Sequence, residues 1–334
     1  MKLLQNFSKC CFARSNLTKH RQGLQTRQCS MECCCPEKPR HLICFKNWTT
    51  EMVMNIIRSA MNLKCTMRDT HSKRMDILPN AKVVILQEIN EPLLNMAVSK
   101  AATLLGAYDV NITDDMVWEH DYNGRVFSYM ADAIFVATTT HMCVQRFAQQ
   151  SSVPVLCMRS RTHASIQALA TFMSIIEEYG TMRCVNLAWV GPPHPVLNSY
   201  LLLCPMFGAN IRFKCCCNVT PVSPLLKKMS EEMCEKSSTV TKQCKEIKEV
   251  LQNACIVISG PTPRKEKLDE FRLEVQDIIT NTLCNWIYFH TCPRGKEVDD
   301  CLFHHCNART FCAFENMHYI AAALMAYAIK GHHF

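Results

Sequence analysis

The chain has 334 residues, of which 48% are hydrophobic and 20% are charged, so it is long enough for two globular domains with their own cores. Its formal net charge of +8 is modest, and no dense stripe of Lys and Arg interleaved with aromatic residues indicates a nucleic-acid partner. No apolar run approaches the roughly 20 residues that a membrane-spanning helix needs, so no membrane span is expected.

The 23 cysteines are an unusual feature of the composition. No secretory apolar segment opens the chain, and Cys157, Cys204 and Cys255 lie in apolar runs, where cysteine acts as a small hydrophobic residue. The cysteine runs 33–35 and 215–217 lack the paired spacing of a zinc site. We therefore expect reduced, mostly structural cysteines, no metal ligands and no cofactor.

The segment 1–31 contains basic and hydroxyl residues, and the first acidic residue is Glu32. This composition is typical of a mitochondrial transit peptide, and the alternative is a disordered basic tail. The segment therefore favours a mitochondrial matrix protein, with a cytoplasmic location as the alternative.

Helical and strand patterns alternate through the first half of the chain. In chain order, the sequence predicts a helix from Thr49, a strand over 81–86, a helix over 92–105 that ends at Gly106, strands over 132–137 and 153–157, and a long helix over 164–178 that ends before Gly180. Between the second helix and the second strand, 111–126 is predicted to be a loop.

The second half repeats this alternation. It contains, in order, a predicted strand over 185–190, a loop over 191–195 and a helix, a strand over 210–214, charged helices over 224–252, a strand over 255–259, a helix over 266–279, a strand over 286–289 and an apolar helix over 315–329. Strands that alternate with helices indicate parallel sheets covered on both faces. The predicted fold class is α/β, with two doubly wound parallel-sheet domains linked by long helices.

The stretch 285–300 suggests a site, because the buried strand ends abruptly in His290, Thr291, Cys292, Pro293 and Arg294. Ligands of open α/β sheets bind just beyond the carboxyl ends of strands, so a histidine and an arginine at this place suggest an anion or carbonyl site. The alternative is a capped strand end followed by a charged surface turn.

Several segments resemble ornithine carbamoyltransferases. They are Leu-Leu-Gly at 104–106, Met-Ala-Asp-Ala at 130–133, Ile-Gln at 166–167, Leu-Ala-Trp-Val-Gly at 187–191, His-Thr-Cys-Pro-Arg at 290–294 with Val-Asp-Asp at 298–300, and Glu-Asn at 315–316. They occur in the family's order and at near-family spacing, and the likeness extends over about 41–330.

The resemblance implies a domain organisation and an assembly. An N-terminal α/β domain over 41–170 would hold carbamoyl phosphate, a C-terminal α/β domain over 171–314 would hold ornithine, and a terminal helix over 315–334 would pack back on the first domain. The family's usual assembly is a trimer with sites at subunit boundaries. The resemblance therefore implies a homotrimer or a mixed trimer with a relative.

The family's main phosphate-binding loop is changed in this chain. Carbamoyl transfer depends on cations and amides directed at a dianion, and the family supplies arginines from a Ser-Thr-Arg-Thr-Arg loop at a helix N-terminus. The matching residues here are Glu91, Pro92, Leu93, Leu94 and Asn95. Two unit charges about 4 Å apart at an effective dielectric near 20 interact by about 4 kcal/mol, so replacing attraction with repulsion predicts a large loss of phosphate binding.

Other family positions are also changed, and only a few are retained. The retained positions are Gln167, His290 and Arg294. Outside the loop, the changed positions are Ala137 and Met317 for two arginines, Ala164 for a histidine, His194 and Pro195 for an asparagine pair, and Thr291 for a cysteine. His163 lies one residue before the changed histidine position and would need a shifted turn to replace it. No catalytic residue is therefore assigned.

Three functional hypotheses remain open from the sequence. The first is an inactive homologue that acts through its surface or by assembly with an active relative. The second is a divergent mitochondrial ornithine carbamoyltransferase, for which Lys100 and Arg161 are weak substitute cations. The third is a module for a less polar small ligand, in a cleft lined by Leu93, Leu94, Ala137 and Met317.

Overall fold

Two parallel β-sheets carry the fold, as the α/β prediction requires. The computed structural model describes residues 39–70, 74–114, 116–118, 120, 122–215, 222–262 and 268–334. These belong to one compact unit, Lys38–Phe334. The segment 1–31, on which the transit-peptide prediction rests, lies outside the described residues.

The first sheet has four strands and the second has five. The first contains β1 (Lys82–Gln87), β2 (Tyr108–Thr113), β3 (Ala133–Ala137) and β4 (Val155–Arg159), in the order β2-β1-β3-β4. The second contains β5 (Asn186–Val190), β6 (Asn210–Lys214), β7 (Thr241–Gln243), β8 (Ile256–Ser259) and β9 (Ile287–His290), in the order β7-β6-β5-β8-β9. All pairings are parallel, so the carboxyl ends within a sheet lie at one edge.

Helices connect the strands and cover the sheets. In chain order they are α1 (Thr50–Thr70), α2 (Pro92–Leu105), α3 (Asn123–Ser128), α4 (His141–Gln150), α5 (Ser165–Tyr179), α6 (Pro195–Met206), α7 (Pro224–Ser237), α8 (Ile247–Leu251), α9 (Leu268–Phe271), α10 (Val275–Asn281), α11 (Asp300–Phe303) and α12 (Thr310–Lys330). No helix among the described residues is long and apolar enough to cross a membrane.

One hydrophobic core contacts both sheets. Alternate residues of a strand point to opposite faces, so Ile85 and Phe135 of the first sheet join the same core as Trp189 and Phe213 of the second. The opposite faces are covered by two smaller cores. The central helix α5 is buried along most of its length, and α12 packs against α5, α2 and α1.

The strands lie within the predicted domains, with β1–β4 inside 41–170 and β5–β9 inside 171–314. The boundary at 170 falls inside α5, which packs against elements on both sides of it. The domain limits themselves therefore stay a prediction.

Four local predictions were wrong. The stretch 111–126 contains the end of β2 and the start of α3, and the charged stretch 224–252 contains β7. Both missed strands lie at sheet edges and are largely exposed, so they lack the apolar pattern of a buried strand. The helix predicted over 266–279 is split into α9 and α10, because a capping box of Glu274 and Asp277 starts a new helix. The terminal helix begins at Thr310 rather than at residue 315.

Candidate ligand-binding site

The carboxyl edge of the first sheet carries acidic and hydroxyl groups. Glu88 follows β1, and its carboxylate accepts hydrogen bonds from the hydroxyls of Thr138 and Thr139 and from the backbone N–H of Thr139 at 2.9 Å. Burial raises the pKa of Glu88, but these hydrogen bonds outweigh that effect, so the pKa is lowered overall. This part of the edge therefore holds a negative charge.

The start of α2 is the place at which the sequence predicts the loss of a phosphate site. Glu91 lies at the N-cap position, and its carboxylate forms an ion pair with Arg159 at the end of β4. The N–H of Glu91 donates to Gln87 Oε1 at 3.1 Å, and Pro92 has no N–H to offer. The residue at the N-cap is therefore an acidic one, and its carboxylate is paired with Arg159 rather than hydrogen-bonded to the helix N–H groups.

The end of β9 is organised by a buried pair. The side chains of His290 and Glu297 are 0% and 1% exposed, and Nε2 of His290 lies 3.0 Å from Oε1 of Glu297. The Cys292 N–H donates to Nδ1 of His290 at 2.9 Å, so Nε2 carries the proton that is donated to Glu297. Burial raises the pKa of Glu297, but hydrogen bonds from His290 and from the Gly295 N–H lower it by more. The pKa of Glu297 is therefore lowered overall.

Arg294 and Gln167 are also engaged within the chain. The Arg294 guanidinium pairs with Asp300 and lies 4.8 Å from the centre of the Phe303 ring. Gln167 Nε2 donates to the carbonyl of Thr291 at 2.8 Å, which ties α5 to the segment that follows β9. All three retained positions therefore have partners in the same chain.

Comparison with known proteins shows which family the chain resembles. Residues 184–328 match the family model described as aspartate/ornithine carbamoyltransferase, Asp/Orn binding domain. The chain is 22% identical over 303 residues to the mitochondrial ornithine carbamoyltransferase of Aquarana catesbeiana, with 86% of each chain covered. It is 25% identical over 296 residues to the ornithine carbamoyltransferase of Prochlorococcus marinus, which covers 83% of this chain and 93% of that one.

The chain is a homologue of ornithine carbamoyltransferases. Solved structures of ornithine carbamoyltransferases share its fold. The enzyme from Pyrococcus furiosus superposes with a TM-score of 0.82 at 20% identity and covers 88% of this chain and 98% of its own. A mitochondrial one from Coccidioides immitis has a TM-score of 0.78 at 20% identity, with 87% and 98% covered.

Four of the positions that the resemblance gives as changed in this carbamoyltransferase homologue are apolar and buried. Ala137 and Ala164 are 0% exposed, and Leu94 and Met317 are each 3% exposed. Of the four residues predicted to line an apolar ligand cleft, only Leu93 is exposed. The third hypothesis therefore loses its support, because three of its four lining residues belong to the core.

The residues near the predicted ornithine side also have structural roles within the chain. His194 caps α6 by accepting from the Val196 N–H, and Pro195 is the first residue of that helix. Thr291 is buried, and its hydroxyl donates to the Ser259 carbonyl at 3.3 Å. At the start of α2, Pro92 and Leu93 are exposed, and the Asn95 N–H donates to the Glu91 carbonyl in the first helical turn.

His163, the residue next to the position that the resemblance gives as a changed histidine, is buried. It is 4% exposed and its ring lies against His141 and Ser199. Burial and the neighbouring His141 lower the pKa of His163 to about 3. Burial, with Arg159 and His290, likewise lowers the pKa of His194 to about 3. Both rings are therefore neutral core groups at neutral pH.

The sequence analysis missed two charged residues of the site, Arg159 and Glu297. Arg159, and neither Lys100 nor Arg161, is the cation paired with Glu91, and its position shortly after the predicted strand 153–157 was the available signal. Glu297 lies in the segment for which a charged surface turn was the alternative interpretation, but it is 0% exposed. Its pairing with His290 has no local sequence signal.

Proposed function

We propose that this chain is a carbamoyltransferase homologue that neither binds carbamoyl phosphate nor transfers its carbamoyl group. The start of α2 carries the proposal, since Glu91 lies at the N-cap there and its carboxylate holds Arg159. A phosphate at this place would have to displace the carboxylate from its cation. It would also meet the negative charge of Glu88 on the same edge of the sheet.

The retained positions add no free cation to the place where phosphate would bind. His290 donates to Glu297, Arg294 is paired with Asp300, and Gln167 is bound to a backbone carbonyl. Catalysis of phosphate departure requires cations and hydrogen-bond donors directed at the developing charge before reaction. Groups that are satisfied by neighbouring residues would first have to give up those partners.

Titration of the full chain with carbamoyl phosphate, together with a citrulline assay in the presence of ornithine, tests this proposal. We expect no heat of binding and no citrulline. Micromolar binding with turnover would overturn the proposal. Titration of the full chain with inorganic phosphate is a second binding measurement, and it does not depend on ornithine.

The variant Glu91→Gln sharpens the test, because it removes the repulsive charge and releases Arg159. We expect its affinity for inorganic phosphate to rise at least tenfold over the natural chain, which is about 1.4 kcal/mol. The matched control is Glu51→Gln, since Glu51 is an exposed acidic residue in the first turn of α1. If Glu51→Gln raised the affinity for inorganic phosphate as much as Glu91→Gln, the cause would be the overall charge of the chain and not the position of Glu91.

The alternative function is a divergent ornithine carbamoyltransferase, and one observation favours it. Arg159 lies at the carboxyl end of β4 beside the start of α2, where a cation could serve the phosphate if Glu91 moved away. In that case the natural chain would make citrulline and Arg159→Gln would abolish the reaction. The natural chain's citrulline assay therefore separates the two functions.

A non-catalytic role would act through the surface or through assembly, as a homotrimer or as a mixed trimer with an active relative. Apolar side chains that favour such contacts are exposed on two neighbouring elements, with Leu93 and Met96 on α2 and Tyr108 and Val110 on β2. Light scattering of the purified chain, alone and mixed with an active relative, measures the assembly.

The basic segment 1–31 and the mitochondrial relatives support a mitochondrial location.

A further inference from the structure

Three residues of metal-binding types, from distant parts of the chain, converge beside the first sheet. Cys44 precedes the 3₁₀-helix Phe45–Asn47, His141 is the first residue of α4, and His163 lies between β4 and α5. One ligand atom of each residue lies within 4.8 Å of the other two. We propose that Cys44, His141 and His163 bind a divalent zinc-class metal ion and leave its fourth position open.

The hydrogen bonds of the two rings fit this role. Ser199 donates its hydroxyl proton to the Pro195 carbonyl at 3.1 Å, so its 3.5 Å contact with Nδ1 of His163 requires the ring to donate. Nδ1 of His141 lies 3.2 Å from the hydroxyl of Ser160. Metal-bound histidines usually hold their other ring nitrogen in such a hydrogen bond, which orients the ring. Among the described residues, neither Nε2 atom has a hydrogen bond, and both are available as ligands.

The distances require only a small adjustment on binding. Zn–N bonds of about 2.0–2.1 Å and a Zn–S bond of about 2.3 Å in tetrahedral geometry place ligand atoms about 3.3–3.6 Å apart. The ligand atoms here are within 4.8 Å, and Cys44 and His141 are only half-buried. Rotation of these two side chains can close the remaining gap of about 1 Å.

The protonation states also suit a metal ion. Burial lowers the pKa of His141 and of His163, so both imidazoles are neutral, as a metal ligand must be. Burial raises the pKa of the Cys44 thiol, an effect only partly opposed by Lys46. Without metal the thiol is protonated at neutral pH, and binding as a thiolate releases one proton.

The site has a route to solvent. Cys44 also lines a cavity of about 750 Å³, together with Ile43, Gln145 and Gln149. A metal ion can enter through this cavity, and a water molecule can reach the fourth position. One thiolate and two imidazoles suit zinc, because carboxylate or carbonyl oxygens, the preferred ligands of calcium and magnesium, are absent from this donor set.

The test uses the full chain, purified under reducing conditions without chelator and titrated with Co²⁺ and Zn²⁺. We expect one ion per chain, a thiolate-to-cobalt charge-transfer band, and visible bands of a tetrahedral site. Zinc titrations in buffers of different ionisation enthalpy should report about one proton released per ion. Absence of the charge-transfer band at saturating Co²⁺ would overturn the proposal.

Variants assign the ligands among the many cysteines. We expect Cys44→Ser, His141→Gln and His163→Gln each to weaken Co²⁺ binding at least tenfold, and Cys44→Ser to remove the charge-transfer band. Two controls keep the band: Cys157→Ala removes the nearby buried thiol and Cys284→Ser an exposed thiol. Ser199→Ala, which leaves all three ligands in place, should weaken binding about tenfold. Circular dichroism checks that each variant folds. A band that survives in folded Cys44→Ser, or is lost in Cys157→Ala, contradicts the assignment.

Discussion

At the start of α2, the arginines that the resemblance leads us to expect are absent from the sequence, whereas at the end of β9 a histidine and an arginine are present but bound to neighbours. Glu91 changes the sign of the charge at the first place. His290 and Arg294 keep their chemical character at the second, and Glu297 and Asp300 occupy them. The comparison teaches that a retained residue type does not by itself indicate an available ligand-binding group.

The largest expected effect concerns His163 and His194, which are buried as neutral groups. Each has a folded-state pKa of about 3 against an ordinary value of 6.5. As the pH falls below 6.5, the unfolded chain takes up a proton at each histidine and the folded chain does not, so stability present above pH 6.5 is lost towards pH 3. Between pH 7.5 and 4.5, we expect the free energy of unfolding to fall by about 5 kcal/mol from the two together.

Urea unfolding at several pH values measures this loss. His194→Gln should reduce the pH dependence by about half of the two-histidine contribution, and His304→Gln, at an exposed ring, should leave it unchanged. A pH dependence that is the same in His194→Gln as in the natural chain would mean that this ring is accessible to protons. It would then be a candidate for ligand contact.

The next effect tests whether Glu297 holds His290. His290→Ala leaves the Glu297 carboxylate buried without its charge-assisted donor, and Oε2 of Glu297 already lacks a partner among the described residues. We expect a loss of about 3–5 kcal/mol in the free energy of unfolding at pH 7. Urea denaturation measures it, with His304→Ala as the exposed control, for which we expect less than about 0.5 kcal/mol.

The pH dependence of His290→Ala tests the direction of the pKa shift of Glu297. The lowered pKa of Glu297 stabilises the fold above the ordinary carboxyl pKa, and this stabilisation is lost as the pH falls through the folded-state pKa. The difference between the natural chain and His290→Ala should therefore shrink in acid. A loss below about 1 kcal/mol at pH 7 would mean that His290 is not tied to Glu297 and could serve a ligand.

The smallest effect is expected for Asp300→Asn. The Asp300 side chain is 82% exposed, so its ion pair with Arg294 is screened by water and contributes little. Arg294 also lies over the Phe303 ring, which holds the guanidinium independently of Asp300. We expect an unchanged urea midpoint and no binding of inorganic phosphate. Phosphate binding gained by this variant would show that Asp300 alone restrains Arg294.

Much of the fold could be predicted from local patterns. Strands such as β3 and β8 are buried on both faces and read as continuous apolar runs, and α2 and α5 end at Gly106 and Gly180, as predicted. The edge strands β2 and β7 could not be found in this way. Each pairs on one side only and is largely exposed, so backbone hydrogen bonds to a neighbouring strand define it rather than side-chain pattern.

The sequence by itself determined the α/β class, the family resemblance and the presence of a carboxylate and a proline where phosphate-binding residues are expected. These follow from residue type and order alone. Only the tertiary structure decided which groups are available. Arg159 meets Glu91, Glu297 meets His290, and Cys44 meets His141 and His163. Parallel strands bring their carboxyl ends to one edge whatever their separation in the chain, and burial then sets the charge and partners of each group there.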